Sequence, residues 1–338
     1  MGKKMIQYTE IRTHWLCVNY CPCDYMPSRA LTMGIIFVSQ TGVGFLGNIL
    51  LLLCYGFLSC TGRGIKHMDL ILHNLIVANC LVLLARGIPQ TMAALGLKYF
   101  MDDFGCKLVF YVHRVARGAS LSATSLLSGF QAITISPNSP QWMELKVKAL
   151  KSIRLSILLC WTLHLLVYSM VPMNITVMRE SNNLTEKIDL EFCSGIIIDR
   201  NISLLYSMMF SFIDVLYLVL MIWASGCMLI ILYRHKQKVL HIHSKSLTPK
   251  CSPETRATHS ILMLVSTFFC FYALSSFFTF YMSLFDKPSW WLVNTSALMG
   301  SSFPCVSPFV LISRHTRVSR LWYTSGTKIN DFHKRVRA

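Results

Sequence analysis

Long apolar stretches alternate with short polar segments along the whole chain. Each stretch is close to the roughly 20 residues that a helix needs to cross the hydrocarbon core of a bilayer. Because backbone amides find no water there, such a segment must bond internally as a helix, and none has the alternating pattern of a barrel strand. The seven stretches are Ala30–Leu58, Met68–Ala94, Cys106–Ile133, Ile153–Met173, Ile202–Tyr233, Ala257–Leu284 and Trp290–Ile312. The pattern predicts an all-α membrane protein built as a seven-transmembrane helix bundle.

The composition agrees with a membrane protein and argues against nucleic-acid binding. Only 14% of the 338 residues are charged and 54% are hydrophobic, whereas about a quarter of a soluble protein is charged. The formal net charge is +17, but the Lys and Arg residues lie in short segments between apolar stretches. A phosphate-binding surface would gather them on one folded face. We therefore expect the lipid bilayer, and no nucleic acid, as a partner.

The distribution of basic residues predicts the orientation. Cytoplasmic connections of membrane proteins carry an excess of Lys and Arg. The sum over the chain favours an outer N-terminus and a cytoplasmic C-terminus, although Lys3, Lys4, Arg12 and Arg29 in the N-terminal segment oppose it. We expect an extracellular segment over 1–29, a seven-transmembrane domain over 30–313 and a cytoplasmic basic tail over 314–338. The basic residues of the expected inner segments are Arg63, Lys66, Lys146, Lys148, Lys151, Arg234, Lys236, Lys238, Lys245, Lys250, Arg256, Arg314, Arg317, Arg320, Lys328, Lys334, Arg335 and Arg337.

The connection between the fourth and fifth stretches has the features of an outer loop. It is acidic and holds Asn-x-Ser/Thr sequons at Asn174, Asn183 and Asn201. Glycosylation requires an accessible lumenal site. Asn183 lies in the middle of the loop and is the favoured acceptor, since the other two lie near predicted helix ends.

Two of the 13 cysteines lie at the predicted outer mouth of the bundle, on the expected oxidising side. Cys106 opens the third stretch at its outer end, and Cys193 lies in the loop before the fifth. A disulfide between them would hold that loop over the mouth of the bundle. The alternative is two free thiols, and Cys17, Cys21 and Cys23 in the N-terminal segment have no assignable partners.

Several motifs resemble those of rhodopsin-like G-protein-coupled receptors. Gly47-Asn48 and the run from Asn74 to Asn79 match the patterns of the first two spans, except that Asn79 replaces the usual Asp. A neutral amide cannot supply the carboxylate of a sodium site, so no sodium regulation is expected. The third span has Phe130-Gln131-Ala132 where relatives have Asp-Arg-Tyr, and the seventh has Ser307-Pro308 where they have Asn-Pro. The usual switch is therefore not expected.

Longer runs between about Gly34 and Leu321 carry a more specific resemblance. They lie at 86–94, 106–111, 113–118, 127–134, 252–258, 286–294 and 307–311. These runs are similar to those of one family, the vomeronasal type-1 receptors. The resemblance implies a receptor on the sensory-neuron plasma membrane that binds a small pheromone-like ligand and activates an inhibitory-class (Gi/Go) heterotrimeric G protein.

Three basic residues on the third span are the main ligand-binding candidates. His113, Arg114 and Arg117 lie two to three turns below Cys106, and a charge at this depth needs a reason. They would suit an acidic or sulfated ligand through charge-assisted hydrogen bonds. The alternative is a structural polar network with Asp214 or Arg86. The remaining candidates are Gln90, Met92, Tyr272, Phe277 and Tyr281, for which ordinary packing is the alternative, and we expect His164 to be a hydrogen-bonded core histidine.

Candidates for G-protein coupling lie at the inner side. Arg234, Lys236 and Arg256 border the basic third inner loop, which could equally be a solvated loop near anionic lipid. Gln131 replaces the Arg that locks the resting state in related receptors. Because Gln forms no ion pair, we hypothesise that activation here moves a polar amide contact.

Other functional classes find little support in the sequence. It contains no His-Glu-x-x-His, Gly-x-Ser-x-Gly or P-loop motif, so we expect no enzyme activity, no cofactor and no metal site. A small-molecule transporter would require paired half-repeats with broken helices at matching positions, and the sequence shows none. A degraded receptor with poor trafficking and little signalling remains an alternative, although the strongest runs are intact.

Overall fold

Seven helical spans make up most of the part of the chain that the structure describes. The computed structural model describes residues 28–60, 67–97, 100–137, 139–176, 187–189, 193–196, 200–242, 253–284 and 290–314. A π-helical turn, Leu83–Gly87, joins α2 to α3, so that these two helices form one span. The helices are α1 (Ser28–Cys60), α2 (His67–Val82), α3 (Ile88–Ala94), α4 (Asp103–Ile135), α5 (Pro140–Val167), α6 (Arg200–Ile242), α7 (Pro253–Leu284) and α8 (Trp290–Arg314). The predictions for Asn183, for Cys17, Cys21 and Cys23, and for the tail beyond Arg314 lie outside the described residues.

Five spans are long and apolar enough to cross a membrane by length and composition. They correspond to the first, second, fourth, fifth and seventh predicted stretches. The sixth, α7, contains the shorter apolar segment Leu262–Phe278. The third, α4, falls outside this group because of its polar and charged residues.

The position of α4 explains how it can be so polar. Every residue from Val115 to Thr124 is buried, and the helix packs against α2, α5, α6 and α7. Other helices rather than lipid surround it, so its charged and hydroxyl side chains do not face hydrocarbon. Its apolar residues Leu121 and Leu127 enter the main core with Ile71, Leu75 and Phe268. The third span is therefore the central helix of the bundle.

The second span changes its helical register before it ends. Pro89 has no N–H to donate to the preceding turn, and the π-helical turn stands just before it. A Cβ on Gly87 would overlap the side chain of Thr41, so the glycine allows α1 to approach closely. Gly96 then ends the span with φ 85°, as Leu97 N donates to Met92 O and Gly96 N to Ala93 O, the hydrogen bonds of a Schellman motif.

The outer end of α4 begins at an N-cap and is held to the outer loop by a disulfide. The side chain of Asp102 accepts a hydrogen bond of 2.8 Å from Gly105 N. One turn into the helix, Cys106 is bonded to Cys193 with a Cα–Cα distance of 6.0 Å, as the sequence led us to expect. Both cysteines are buried with Val115, Tyr168, Val171 and Ile175.

The outer loop contains a small sheet that the sequence analysis did not predict. Strands β1 (Ile175–Thr176), β2 (Lys187–Asp189) and β3 (Ser194–Ile196) are antiparallel in the order β1-β3-β2. Because β3 directly follows Cys193, the disulfide fixes the central strand to α4. The strands are too short for an alternating pattern to stand out in the sequence.

At the end of the bundle expected to be cytoplasmic, the helices extend further than predicted. Lys146, Lys148 and Lys151, expected in a loop, lie on α5, which begins at Pro140 after Ser139. Arg234 and Lys236 likewise lie on α6, and Arg256 lies on α7. A helix continues into the headgroup layer when its residues form good helices there, and hydropathy does not register this extension.

His164 differs from its expected role as a hydrogen-bonded core histidine. It is buried on α5, but neither ring nitrogen has a hydrogen-bond partner among the described residues. Its ring instead stacks on Tyr168, with the centroids 6.0 Å apart, and packs against Tyr217 at 5.7 Å. A Cβ on Gly118 would overlap this ring. The glycine thus provides the space for the imidazole between α4 and α5.

We expect Gly118→Ala to lower the thermal stability of the purified protein. The added methyl group would meet the His164 ring and force α4 and α5 apart, and overpacking of this kind costs about 1–3 kcal/mol. Gly129→Ala is the matched control on the same helix, because a Cβ there has no heavy atom within 4 Å. The measurement is the melting temperature in detergent. Equal melting temperatures for the two variants would contradict the close packing of Gly118 against His164.

Candidate ligand-binding site

Arg117 joins three spans at the centre of the bundle. Its Nη2 donates a hydrogen bond of 2.8 Å to Ser276 Oγ on α7, and its guanidinium lies 4.3 Å from the ring centroid of Tyr272. The same Nη2 lies 4.0 Å from Oδ2 of Asp214 on α6. The Tyr272 hydroxyl donates to Oδ1 of Asp214 over 2.9 Å. Asp214, Arg117 and Tyr272 are therefore one buried polar cluster linking α4, α6 and α7.

The other two basic candidates lie beside this cluster. His113, 5% exposed, has no hydrogen-bond partner for Nε2 among the described residues. Arg86, Arg114 and Arg117 are all close enough to interact with its ring electrostatically. Arg114 interacts in the same way with Asp214 and Tyr272. Sequence reasoning kept ligand binding and a polar network as alternatives, and the contacts of Arg117 are those of a network that includes Asp214.

A small cavity borders Arg117. Its volume is about 10 Å³, which is near the space that one water molecule needs. It lies between the second, third, sixth and seventh spans. Its lining residues are Val82, Arg117, Ser120, Phe268, Tyr272, Ser275, Met299, Gly300, Phe303 and Pro304. This cavity as it stands is too small for a ligand larger than a water molecule.

Gln90 and Tyr281 do not join the cluster around Arg117 in the same way. Gln90 is buried on α3, and its Nε2 donates a hydrogen bond of 3.4 Å to Oδ1 of Asn294 on α8. Tyr281 is 39% exposed and its ring lies against Phe277. It is nine residues from Tyr272, a rise of about 13.5 Å along α7. Gln90 thus ties two spans together, and Tyr281 lies toward the outer end of the bundle.

A second polar cluster lies next to the site and explains the replacement of Asp by Asn79. Asn79 Nδ2 donates to Ser307 Oγ over 2.9 Å, and its Oδ1 accepts from Ser120 Oγ over 2.8 Å. An amide can donate and accept at once, whereas a carboxylate only accepts. Nearby, Asn48 Nδ2 donates to Pro304 O over 2.8 Å. These contacts connect the first, second, third and seventh spans without a buried charge.

Several residues of the site were missing from the sequence-based candidates. Ser276 accepts from Arg117, and Ser120 and Ser275 line the cavity. Serine is common in this chain, so its presence in a span gives little signal. A paired Ser275-Ser276 in an otherwise apolar stretch was the available indication, since polar residues in spans usually face other helices.

A bundle of seven helical spans, with a disulfide-linked loop and a charged cluster in its interior, is the architecture of a multi-pass membrane protein. Residues 31–324 match the vomeronasal organ pheromone receptor family. Human vomeronasal type-1 receptor 3 is 50% identical over 313 residues, covering 92% of this chain and 100% of the relative. The chain belongs to the vomeronasal type-1 receptor family, as its sequence motifs indicated.

Two further relatives give the range of this similarity. Human vomeronasal type-1 receptor 4 is 49% identical over 298 residues, or 88% of this chain and 99% of the relative. Olfactory receptor class A-like protein 1 of Danio rerio is 29% identical over 286 residues, which cover 84% of this chain and 90% of the relative. The similarity therefore spans the whole helical bundle and extends to a fish receptor.

We expect Asp214→Asn to destabilise the protein by about 2 kcal/mol, because it leaves the buried charge of Arg117 without its carboxylate. The amide would still accept from Tyr272, so the change isolates the charge. The double variant with Arg117→Gln should be destabilised by less than the sum of the two single variants, since the two residues act as a pair. Unfolding would be followed in detergent.

The control for this cycle is Asp103→Asn at the outer end of α4. Asp103 pairs with Lys107, and both side chains are partly exposed, so the loss should be below about 1 kcal/mol. Strictly additive effects at Arg117 and Asp214 would contradict the assignment of a coupled pair.

Proposed function

We propose that this receptor binds a small amphipathic anion between the third, fifth and sixth spans and activates an inhibitory-class G protein. The single observation that carries the proposal is the charge balance of the buried cluster. Arg114 and Arg117 share one carboxylate, Asp214, among the residues that the structure describes, and His113 lies beside both arginines. An anionic group could form charge-assisted hydrogen bonds with Arg117, which now donates to the neutral hydroxyl of Ser276.

The ligand would act by competing for Arg117. The 4.0 Å separation between Arg117 Nη2 and Asp214 Oδ2 is long for a direct ion pair. A sulfate or carboxylate on the ligand would replace Asp214 beside the guanidinium and release the contact between α4 and α6. The water-sized cavity would have to widen at the same time. A ligand that binds this open arrangement more tightly than the closed one shifts the population toward it.

The orientation in the membrane is part of the proposal. The excess of Lys and Arg in the inner connections favours an outer N-terminus and a cytoplasmic C-terminus. The segment 1–29 would then be extracellular, 30–313 would form the receptor domain and 314–338 the cytoplasmic tail. Asn174 ends the helical segment after α5 and Asn201 stands in the first turn of α6. In this orientation they and Asn183 are the glycosylation candidates.

The G protein would dock at the inner helix ends. Arg234 and Lys236 lie on the inner extension of α6, and Arg256 lies at the start of α7. Helical rather than loop positions would let a movement of these two spans shift the basic residues directly. Gln131, 7% exposed at the inner end of α4, would form the amide contact that changes on activation.

The ligand prediction can be tested with steroid sulfates and their uncharged parent steroids. We expect cells that express the chain with an inhibitory-class G protein to lower cyclic AMP only with the sulfated compounds. Arg117→Ala should abolish the response because it removes the anion partner. Lys107→Ala, which removes a cation at the outer end of the same helix, should leave it unchanged.

Surface expression is the necessary control in this assay. An epitope tag on the N-terminal segment, detected on intact cells, measures expression and tests the outer N-terminus together. A tag reached only after permeabilisation would contradict the orientation or indicate a poorly trafficked receptor. A full response to the parent steroids, or in Arg117→Ala at normal surface level, would contradict the anion site.

We expect Gln131→Arg to lower basal signalling. A guanidinium at this buried position needs acceptors, and the carbonyls at the inner ends of a closed bundle are the nearest source. The change would therefore favour the resting arrangement. Basal cyclic AMP equal to that of wild type, at equal surface expression, would remove the support for an amide contact at Gln131.

A further inference from the structure

The inner extension of α5 presents a basic face that neither the ligand site nor the proposed G-protein contact uses. Lys148, Lys151 and Arg154 are all exposed and follow one another at intervals of three residues. Such spacing places them along one side of a helix. Leu155, Leu158 and Leu159 continue the same side and are 59%, 62% and 59% exposed. The opposite side, with Ile153, Ile157 and His164, is buried in the bundle.

This arrangement places the basic face against lipid rather than against protein. Exposed leucines on a membrane span contact acyl chains, and the cations stand directly below them on the same side. The length of the helix also agrees with this placement. The segment from Arg154 through the 3-10 turn to Asn174 spans about 33 Å. The hydrocarbon core is roughly 30 Å thick. A span that reaches the opposite boundary at Asn174 therefore places Arg154 at the near boundary, with Lys151 and Lys148 in the headgroup layer.

The face has more positive than negative charge. Lys148 Nζ lies 2.6 Å from Glu144 Oε1, but both side chains are more than two-thirds exposed, and such pairs are weak. Lys151 and Arg154 form no ion pair with any other described residue. Trp142, 39% exposed and six residues before Lys148 on the same helix, is a residue type that anchors helices at the membrane interface.

Lys146 on the same helix does not belong to the basic face. It lies toward the bundle, half-buried, and its Nζ donates a hydrogen bond of 2.8 Å to Ser136 O at the end of α4. It therefore carries the same charge at the same depth but is engaged in holding the connection between two helices.

We propose that Lys148, Lys151 and Arg154 form a binding site for an anionic phospholipid headgroup of the cytoplasmic leaflet, with phosphatidylserine as the occupant. The side of the membrane rests on the orientation given under Proposed function, but the lipid contact does not depend on the ligand or the G protein. Each basic residue near an anionic surface favours binding by roughly fivefold. The leucines above the site hold the acyl chains of the same lipid.

The test is the lipid composition that the purified full-length chain retains. The chain is placed in nanodiscs of mixed phosphatidylcholine and phosphatidylserine, and the lipids that remain bound are counted by native mass spectrometry. Wild type should retain phosphatidylserine in several-fold excess over its share in the disc. Because both leaflets of the disc have the same composition, the orientation of the chain does not affect the count.

Three variants make the assignment specific. Lys151→Gln combined with Arg154→Gln should remove most of the phosphatidylserine excess. Lys146→Gln, the matched control, should keep it, because that lysine does not face lipid. Glu144→Gln should raise the excess, since it releases Lys148 from its carboxylate.

An excess that survives the double change, or that falls equally in Lys146→Gln, would overturn the proposal. A double variant that keeps its phosphatidylserine excess but no longer couples to the G protein in phosphatidylcholine discs would show a protein-docking face instead, and would also overturn it. None of these readouts uses a chemosensory ligand, so a failed ligand assay and a failed lipid assay are distinguishable.

Discussion

Arg114 and Arg117 on a helix that crosses a membrane cannot face hydrocarbon without a large cost in free energy. This constraint places α4 in the middle of the bundle, where α2, α5, α6 and α7 shield it. It also explains why α4 is less apolar than the spans around it and is buried on every side from Val115 to Thr124. The arrangement of the other helices follows from the need to surround this one.

The polar groups of α4 are used in two different ways. Toward α6 and α7, Arg117 contacts Asp214 and Tyr272 in a cluster that contains charge. Toward α2 and α8, Ser120 bonds to the neutral amide of Asn79. A neutral contact can rearrange without leaving an uncompensated charge in the interior, whereas the charged cluster is sensitive to any anion that reaches it. This difference is the reason why ligand binding is proposed on the side of the bundle that faces α6 and α7.

The two ends of the bundle are built differently. At the outer end, the disulfide from Cys106 and the strand that follows Cys193 fix a loop to the central helix. At the inner end, α5 and α6 extend as long helices with basic residues. In the proposed orientation, a fixed outer end and extended inner helices suit a protein in which a small change near Arg117 is transmitted to the cytoplasmic side. The same extension gives α5 the surface that we propose as a binding site for lipid headgroups.

The number and approximate limits of the seven spans follow from the sequence by itself, because the thickness of the bilayer imposes the length of an apolar run. The family also follows from the sequence, through runs such as those around Arg117 and Ser307. The site could be predicted in part from the sequence. The charged residues on α4 stood out in an apolar stretch, and Asp214 was a possible partner for them.

Only the tertiary structure decided which spans meet at each polar residue. It brought Ser276 to Arg117, directed Gln90 to Asn294, left Tyr281 at the outer end and placed His164 against Gly118 without hydrogen bonds. It also turned Lys148 and Lys151 from loop residues into a helix face. Hydropathy reports how each residue partitions between water and lipid, but the rotation of each helix depends on packing between residues far apart in the chain, which no local pattern contains.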